Sequence, residues 1–578
     1  MSKFNTNAVD TSHTVNLAGG NAYTLDDKTA LYVTASTSLG GGAGDKFYVS
    51  ANAEYTNIVT LVNKIAKQDP AFVFQLAAYL RNEMHLRSIP MILFVEGIRA
   101  MHANKSKSAA YPIDVTLMAS KVFGRPDEIT EAVAYWLHVN KGNHKLPMNL
   151  RSSLEIAFNK FNEYSMVKYD QDNKKVKLKD VLRLVHPKPK DAVQAALFNY
   201  ILRGVAEEGA IVESGHRAPL TNLAFKSLLP MTAARDALMK MTKFDAKAKE
   251  LVRESNATWE TVISKFGSTE ETWSYVLPNM GYMAVLRNLN NFLKNDISMD
   301  DVVTKLTSKE EVLKSKQLPF RFLSAMKAIE GEEYALRYYS YADSNRDMFA
   351  KWNQPAKGDS KALLRQALSI ALNHSVSNIP KFTGRTLVAA DVSGSMDSRL
   401  NDKSSVTMKE IATVMAAMAS HLSEDGIASA FGTTFDTVTP SANILDTANA
   451  IGNLVGKVGM STNAWTILDY LINNRIVTNR VMYFTDTQCY NSYGYGQSLN
   501  ELWKKYATWV QGTTNGETTP YLYEINLTGG NTSNFDRESR VAQIGGWSEK
   551  IFDLMASYEG DPRSAVKKIA ELYPVLTR

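Results

Sequence analysis

The sequence predicts a multidomain chain, an all-α array of short helices over residues 1–375 followed by an α/β doubly wound sheet over residues 376–578. Three observations carry this expectation. From about residue 52 to 374, apolar residues recur at helical spacing in one segment after another. After about residue 380, short apolar runs alternate with helical patterns, as in a parallel sheet covered on both faces. Charge divides with the pattern: residues 1–375 carry 48 basic and 39 acidic side chains, and residues 376–578 carry 17 and 20.

Taken in order, the first feature is a Gly-rich turn, TSLGGGAGDKFYVS, at 37–50. Apolar faces follow in TNIVTLVNKIAKQ (56–68), AFVFQLAAYLRNEM (71–84), IPMILFVEGIRAM (89–101), PDEITEAVAYWLHVN (126–140) and KALLRQALSIALNH (361–374). Between Met283 and Leu293, Val285, Leu286, Leu289, Phe292 and Leu293 share one face, which predicts a single helix there. Pro70, Pro90, Pro112, Pro126 and Pro147 punctuate the series at roughly one per helical hairpin. No strict sequence repeat is present, so an irregular, solenoid-like stack of helix pairs is expected.

The second pattern opens with RTLVAADVSGS, whose apolar run Leu387 to Ala390 reads as a buried strand. SSVTMKEIATVMAAMASHL (404–422) predicts a long helix, IASAFGTTF (427–435) a strand and ANILDTANAIGNLVGKV (442–458) a helix. VMYFTD (481–486) is another strand ending in an acid. SLNELWKKYATWV (498–510), TPYLYEINL (519–527) and WSEKIFDLMASY (547–558) complete the alternation as helix, strand and helix.

Composition narrows the function classes. In 578 residues, 44% are hydrophobic and 21% charged, which excludes wholesale disorder. A single cysteine, Cys489, excludes an intramolecular disulfide framework and any multi-cysteine metal site. No run of 18 apolar residues occurs, so no transmembrane helix is expected. The polar start MSKFNTNAVD does not read as a secretory signal, and a cytoplasmic location is expected. Residues 141–190 hold 12 basic and 5 acidic side chains. Such clustering suits a polyanion, because each neutralised phosphate releases counterions.

The strongest local chemistry is Asp391-Val-Ser393-Gly-Ser395, directly after a strand. Ser461-Thr462-Asn463 in a Gly-rich loop and Asp486 at the end of VMYFTD are the companions. All fall at carboxyl ends of strands, where open α/β sheets bind ligands. Two carboxylates and three hydroxyls form a hard, oxygen-only set suited to a divalent cation, Mg2+ first among them. The competing structural reading is that Asp391 and Ser393 cap the next helix.

With those motifs in view, residues 385–578 resemble a von Willebrand factor type A domain. Asp391, Ser393, Ser395, Thr462 and Asp486 match its metal-ion-dependent adhesion site. The loop Gly459-Met-Ser-Thr462-Asn departs from the usual pattern, and Ser461 competes with Thr462 as the ligand. KDVLRLVHPKP (Lys179–Pro189), AVLRNLNNF (Ala284–Phe292), Pro319-Phe320 and the junction RTLVAADVSGSM resemble the TROVE module of the Ro autoantigen family. The resemblance implies a ring of HEAT-like helical repeats closed within one monomeric chain by the type A domain.

It also implies partners. Family members bind Y RNA on a basic outer surface and take single-stranded 3′ ends of misfolded non-coding RNA into a central hole. Bacterial relatives work with exoribonucleases, of which polynucleotide phosphorylase is the candidate. The implied Y RNA surface comprises Lys168, Lys174 or Lys175, Lys179, Arg183, His186 and Lys188. The candidates for the hole are Arg81, His85, Arg87, His144, Lys145 and Arg151. Phosphate contacts of this kind give affinity, not base choice. Arg287 and Asn288 match a family motif, with a structural role equally open.

These readings favour a non-catalytic RNA-binding quality-control protein acting in RNA maturation or decay, with no membrane partner. The alternative is a protein-interaction scaffold that grips an acidic side chain through the metal. No catalytic triad, P-loop or paired general acid and base beyond the two metal-site carboxylates appears in the sequence.

Overall fold

The computed structural model describes residues 13–15, 21–23, 26–37, 51–103, 114–140, 145–170, 175–207, 218–317, 319–330, 360–398, 406–487, 489, 498–528, 534–535, 540–545, 551–560 and 564–575. The Gly-rich segment 38–50, Pro112, His144 and Lys174 lie outside the described residues. The chain divides into two compact units. One comprises Val59–Met280, Lys294–Ile297 and Lys568–Arg578, and the other Met1–Ile58, Gly281–Leu293 and Ser298–Lys567.

The first half of the chain forms the expected helices in series. They are α1 (Asp27–Thr37), α2 (Ala51–Gln68), α3 (Pro70–Asn82), α4 (Ser88–Ala103), α5 (Thr116–Val122), α6 (Pro126–Val139), α7 (Met148–Phe158), α8 (Glu163–Tyr169), α9 (Leu178–Val185) and α10 (Ala192–Arg203). α3 packs on α4, α4 on α6, α5 on α7, α7 on α9, and α9 on α10. Each helix thus finds its partners a few dozen residues away, as in a stack of helical hairpins.

Pro70 and Pro126 act as helix starts. Pro70 is the first residue of α3, behind Asp69, whose carboxylate accepts from the Phe72 amide at 3.4 Å. Pro126 opens α6, and Glu128 Oε2 accepts from the Gly124 amide at 2.7 Å. The core is apolar and aromatic. Phe74, Phe94 and Phe123 meet edge to face with ring centroids 5.3 Å apart in each pair. Gly97 lets α3 and α4 approach: a Cβ there would lie 2.8 Å from Phe74 Cζ.

In the other unit a six-stranded sheet comprises β1 (Phe382–Asp391), β2 (Ser423–Phe431), β3 (Phe435–Val438), β4 (Arg480–Thr485), β5 (Tyr521–Asn526) and β6 (Val541–Gly545). The spatial order is β3-β2-β1-β4-β5-β6. β2, β1, β4, β5 and β6 are parallel, and β3 runs antiparallel on the edge. IASAFGTTF is therefore a hairpin and not one strand: the chain turns at Gly432–Thr434, where the Gly432 amide donates to Thr434 O at 2.9 Å. Helix Met408–Leu422 is buried along nearly its whole length. Met418, Ala419 and neighbouring small residues let it pack against β1, β2 and helix Ile444–Asn453.

Helices Met299–Thr307, Pro319–Glu330 and Ser360–Ser375 belong to this same unit. Lys327 Nζ meets Glu410 Oε2 at 2.5 Å, both side chains buried. Asn443 Nδ2 donates to Ser369 Oγ at 2.7 Å. The compact unit thus crosses the change in sequence pattern near residue 375.

The single helix expected over Met283–Leu293 is two, Tyr282–Arg287 and Leu289–Lys294. The buried Asn288 divides them, because its side-chain amide donates to Ala284 O at 2.8 Å and competes with the backbone ladder. Among the described residues, no helix is long and apolar enough to cross a membrane.

Candidate metal centre and nucleic-acid interface

β1 and β4 are adjacent and parallel, with Ala390 paired to Phe484. That register brings Asp391, the last residue of β1, beside Thr485 and Asp486 at the end of β4. Thr485 Oγ1 donates to Asp391 Oδ2 at 2.7 Å, and the Ser393 amide donates to Oδ1 at 2.9 Å. Ser393 Oγ and Ser395 Oγ lie 3.3 Å apart. Asp391 and Asp486 are both fully buried.

The third loop is stapled to this one. The Gly394 amide donates to Met460 O at 3.0 Å, and the Asn463 amide to Gly432 O at 2.9 Å. Gly459 has φ +75, and a Cβ there would sit 2.6 Å from Thr433 Oγ1, so glycine is required at this turn. Thr462 is buried, whereas Ser461 is exposed with its amide turned to Thr433 Oγ1. Of the two hydroxyls that the sequence left open, Thr462 is the one that faces inward.

Burial, and then repulsion from Asp486, push the Asp391 carboxyl up to about 7. Two buried carboxylates side by side are unfavourable without a compensating charge, and a divalent cation supplies it. The donor set therefore fits such an ion. Among the described residues, no three His, Cys, Asp or Glu side chains come together as a ligating group, so a site here relies on hydroxyls as well. Cys489 is buried nearby, and burial, with the charges of Asp391, Glu524 and Asp486, pushes its thiol well up. It is an inert packing residue. Thr485, which orients Asp391, was not singled out from sequence. Only the strand register brings it there.

The basic residues separate into two groups. Lys179, Arg183 and His186 lie at i, i+4 and i+7 on one face of α9 and its C-terminus, with Leu178, Val181, Leu182 and Val185 buried on the other. Lys175 precedes α9 and Lys188 follows it, both outside the helix. Arg183, His186, Lys175 and Lys188 are exposed, and Lys179 is half-buried. Among the described residues, none of these five side chains makes a hydrogen bond or ion pair. His186 ends α9 with φ 51, its amide donating to Leu182 O at 3.0 Å, and the buried Pro187 prevents the helix from continuing.

The other group is engaged internally. Arg81 Nη2 pairs with Glu128 Oε1 at 2.8 Å. Arg87 Nη2 pairs with Asp127 Oδ2 at 2.6 Å and Glu131 Oε1 at 2.9 Å. Burial raises the Glu128 carboxyl, and Arg81, Arg87 and Arg125 pull it back. Arg151 Nη2 reaches Val185 O at 3.4 Å and so supports the end of α9. Lys168 Nζ donates to Tyr164 OH at 3.1 Å and lies 5.5 Å from the Tyr169 ring centroid, while the Arg125 guanidinium covers that ring at 4.2 Å. Arg125 was not predicted, and its role is visible only once α6 and α8 are packed. Tyr164, Val167, Met231, Thr232, Arg235 and Ser255 line a small hollow there.

The TROVE domain family's sequence profile matches residues 24–219 and 231–371, more than half of the chain. The chain belongs to the TROVE domain family. This TROVE protein is 23% identical over 321 residues to telomerase protein component 1 of Rattus norvegicus, and 23% over 324 residues to that of Mus musculus. Each match takes in 49% of this chain and 12% of the relative, so the chain spans only a small part of those relatives' length. Its fold is similar to the crystal structure of the Deinococcus radiodurans RO (RSR) protein, with TM-score 0.62 and 16% identity, covering 93% of this chain and 100% of that one. That likeness shows a shared fold.

Proposed function

We propose that this Ro-like chain is a non-catalytic cytoplasmic RNA-binding protein of RNA quality control. Its basic α9 face takes a Y-like structured RNA. Single-stranded 3′ ends of misfolded RNA enter the central hole that the family resemblance implies, and the protein hands them to an exoribonuclease. The observation that carries this reading is the row Lys179, Arg183 and His186 along α9, whose side chains meet no carboxylate among the described residues, while Arg81 and Arg87 are paired internally. Cations without an acidic partner can bind a polyanion, and His186 can donate to phosphate or stack on a base.

A divalent cation, Mg2+ in the first place, would be held by Asp391, Ser393, Ser395, Thr462 and Asp486. When bound it neutralises the two carboxylates and offers an open position to an acidic ligand. Asp391 and Ser393 orient the loop, and Thr485 holds Asp391 Oδ2 in place. This geometry also supports the second reading, a metal-dependent protein-interaction scaffold.

Sequencing the RNA that co-purifies with the protein tests the first reading. Recovery of one structured small RNA together with 3′-extended fragments is expected. A protein that binds neither structured RNA nor single-stranded 3′ tails at low salt, yet captures a protein partner only with Mg2+, favours the second.

A further inference from the structure

The residue after Asp486 has a conformation that its side chain disfavours. Thr487 has φ +62, in the left-handed region, where a β-branched residue is a genuine outlier. Such a residue persists only when its surroundings over-determine it.

Here they do, at every polar atom of Thr487. Its amide donates to Thr485 Oγ1 at 3.1 Å. Its Oγ1 accepts from Asn526 Nδ2 at 3.0 Å. Its carbonyl accepts from Asn534 Nδ2 at 3.3 Å. The two amides are themselves held. Asn526 Oδ1 accepts from the Thr528 amide at 3.0 Å and from Thr528 Oγ1 at 2.6 Å, which turns Nδ2 toward Thr487. Asn534 donates to the buried Glu524 carboxylate from both its backbone amide, at 3.0 Å, and its Nδ2, at 2.6 Å. All six residues are buried. Thr485 also donates to Asp391 Oδ2, so one hydroxyl joins the clamp to the other carboxylate of the site.

We infer that Asn526 and Asn534 are positioning residues that hold Thr487 in its left-handed conformation and thereby fix the direction in which Asp486 enters the metal centre. Neither side chain is a metal ligand. The backbone at 487 sets where the preceding peptide plane and Asp486 point, and relaxation to an ordinary negative φ would turn them. Glu524, a buried carboxylate distant in sequence from every predicted ligand, acquires a role as the anchor of Asn534.

The inference rests on the metal centre proposed above, and one titration separates their failures. The full-length protein is titrated with Mn2+ alone, the free ion being read by electron paramagnetic resonance, and thermal melting is recorded in parallel. Asn526→Ala is expected to weaken Mn2+ binding about tenfold or more while the protein still melts cooperatively. In a Thr487→Gly background, where the left-handed conformation needs no clamp, the same substitution is expected to cost threefold or less. Where Asn526→Ala fails to fold, Asn534→Ala, which removes the donor to the Thr487 carbonyl, replaces it in both backgrounds. Wild-type affinity in Asn526→Ala, or equal losses in the two backgrounds, overturns the inference and leaves the metal centre standing. A wild-type protein that binds no Mn2+ overturns both.

Discussion

Replacing Lys179 and Arg183 together by glutamine tests the basic α9 face most directly. Both side chains lie on the same helix face, and neither is neutralised among the described residues. The buried face of α9 is untouched, so the fold should survive. If each cation contacts one phosphate, the slope of log affinity against log salt becomes shallower by about 0.7–0.9 per residue. For the pair this is about 1.4–1.8, so the variant loses roughly tenfold less affinity than wild type between about 50 and 200 mM salt. Fluorescence anisotropy with a labelled stem-loop RNA across that range measures it. A double variant whose slope equals that of wild type would refute the assignment of this face, whatever the change in absolute affinity.

Arg81→Gln should act on stability and hardly on that slope, because it leaves the buried Glu128 with less neutralisation; a loss of about 3 kcal/mol in urea unfolding is expected. Lys327→Met should cost about 3–5 kcal/mol by stranding Glu410, and adding Glu410→Gln should recover much of it, a cycle that chemical denaturation resolves. Mg2+ at a hundred times its dissociation constant should stabilise wild type by about 2.7 kcal/mol. EDTA or Asp391→Asn should abolish that shift in a melting experiment. The Glu128 carboxyl is raised in the folded state, which therefore holds more protons than the unfolded chain above the ordinary pKa of 4.5. Stability should fall as pH rises from there through the raised folded value, and level off above it. Glu128→Gln should remove that part of the slope in melting curves recorded as a function of pH.

The helical array and the α/β alternation were legible because periodicity records which face each segment buries, and burial is the dominant local constraint. The prolines marked helix starts correctly at Pro70 and Pro126, since a missing N–H costs nothing there. Asn288 defeated the periodicity, because a side-chain amide can displace a backbone hydrogen bond without changing the apolar pattern. The turn at Gly432 inside IASAFGTTF was likewise hidden, because the strand formers Thr433, Thr434 and Phe435 follow the glycine directly.

By itself, then, the sequence determined the two architectures and placed oxygen donors at the strand ends, both of which follow from residue type and short-range spacing, whereas the α9 row came from the family resemblance. Tertiary structure decided which charges are neutralised. Arg81 and Arg87 find Glu128 and Asp127 some forty positions away, whereas Lys179 and Arg183 meet no carboxylate among the described residues. It also buried Thr462 while leaving Ser461 exposed, and assembled the Thr485–Thr487–Asn526–Asn534 clamp from two strand ends and a loop residue. Pairing between distant residues depends on register and packing across the whole unit, and no local pattern encodes it.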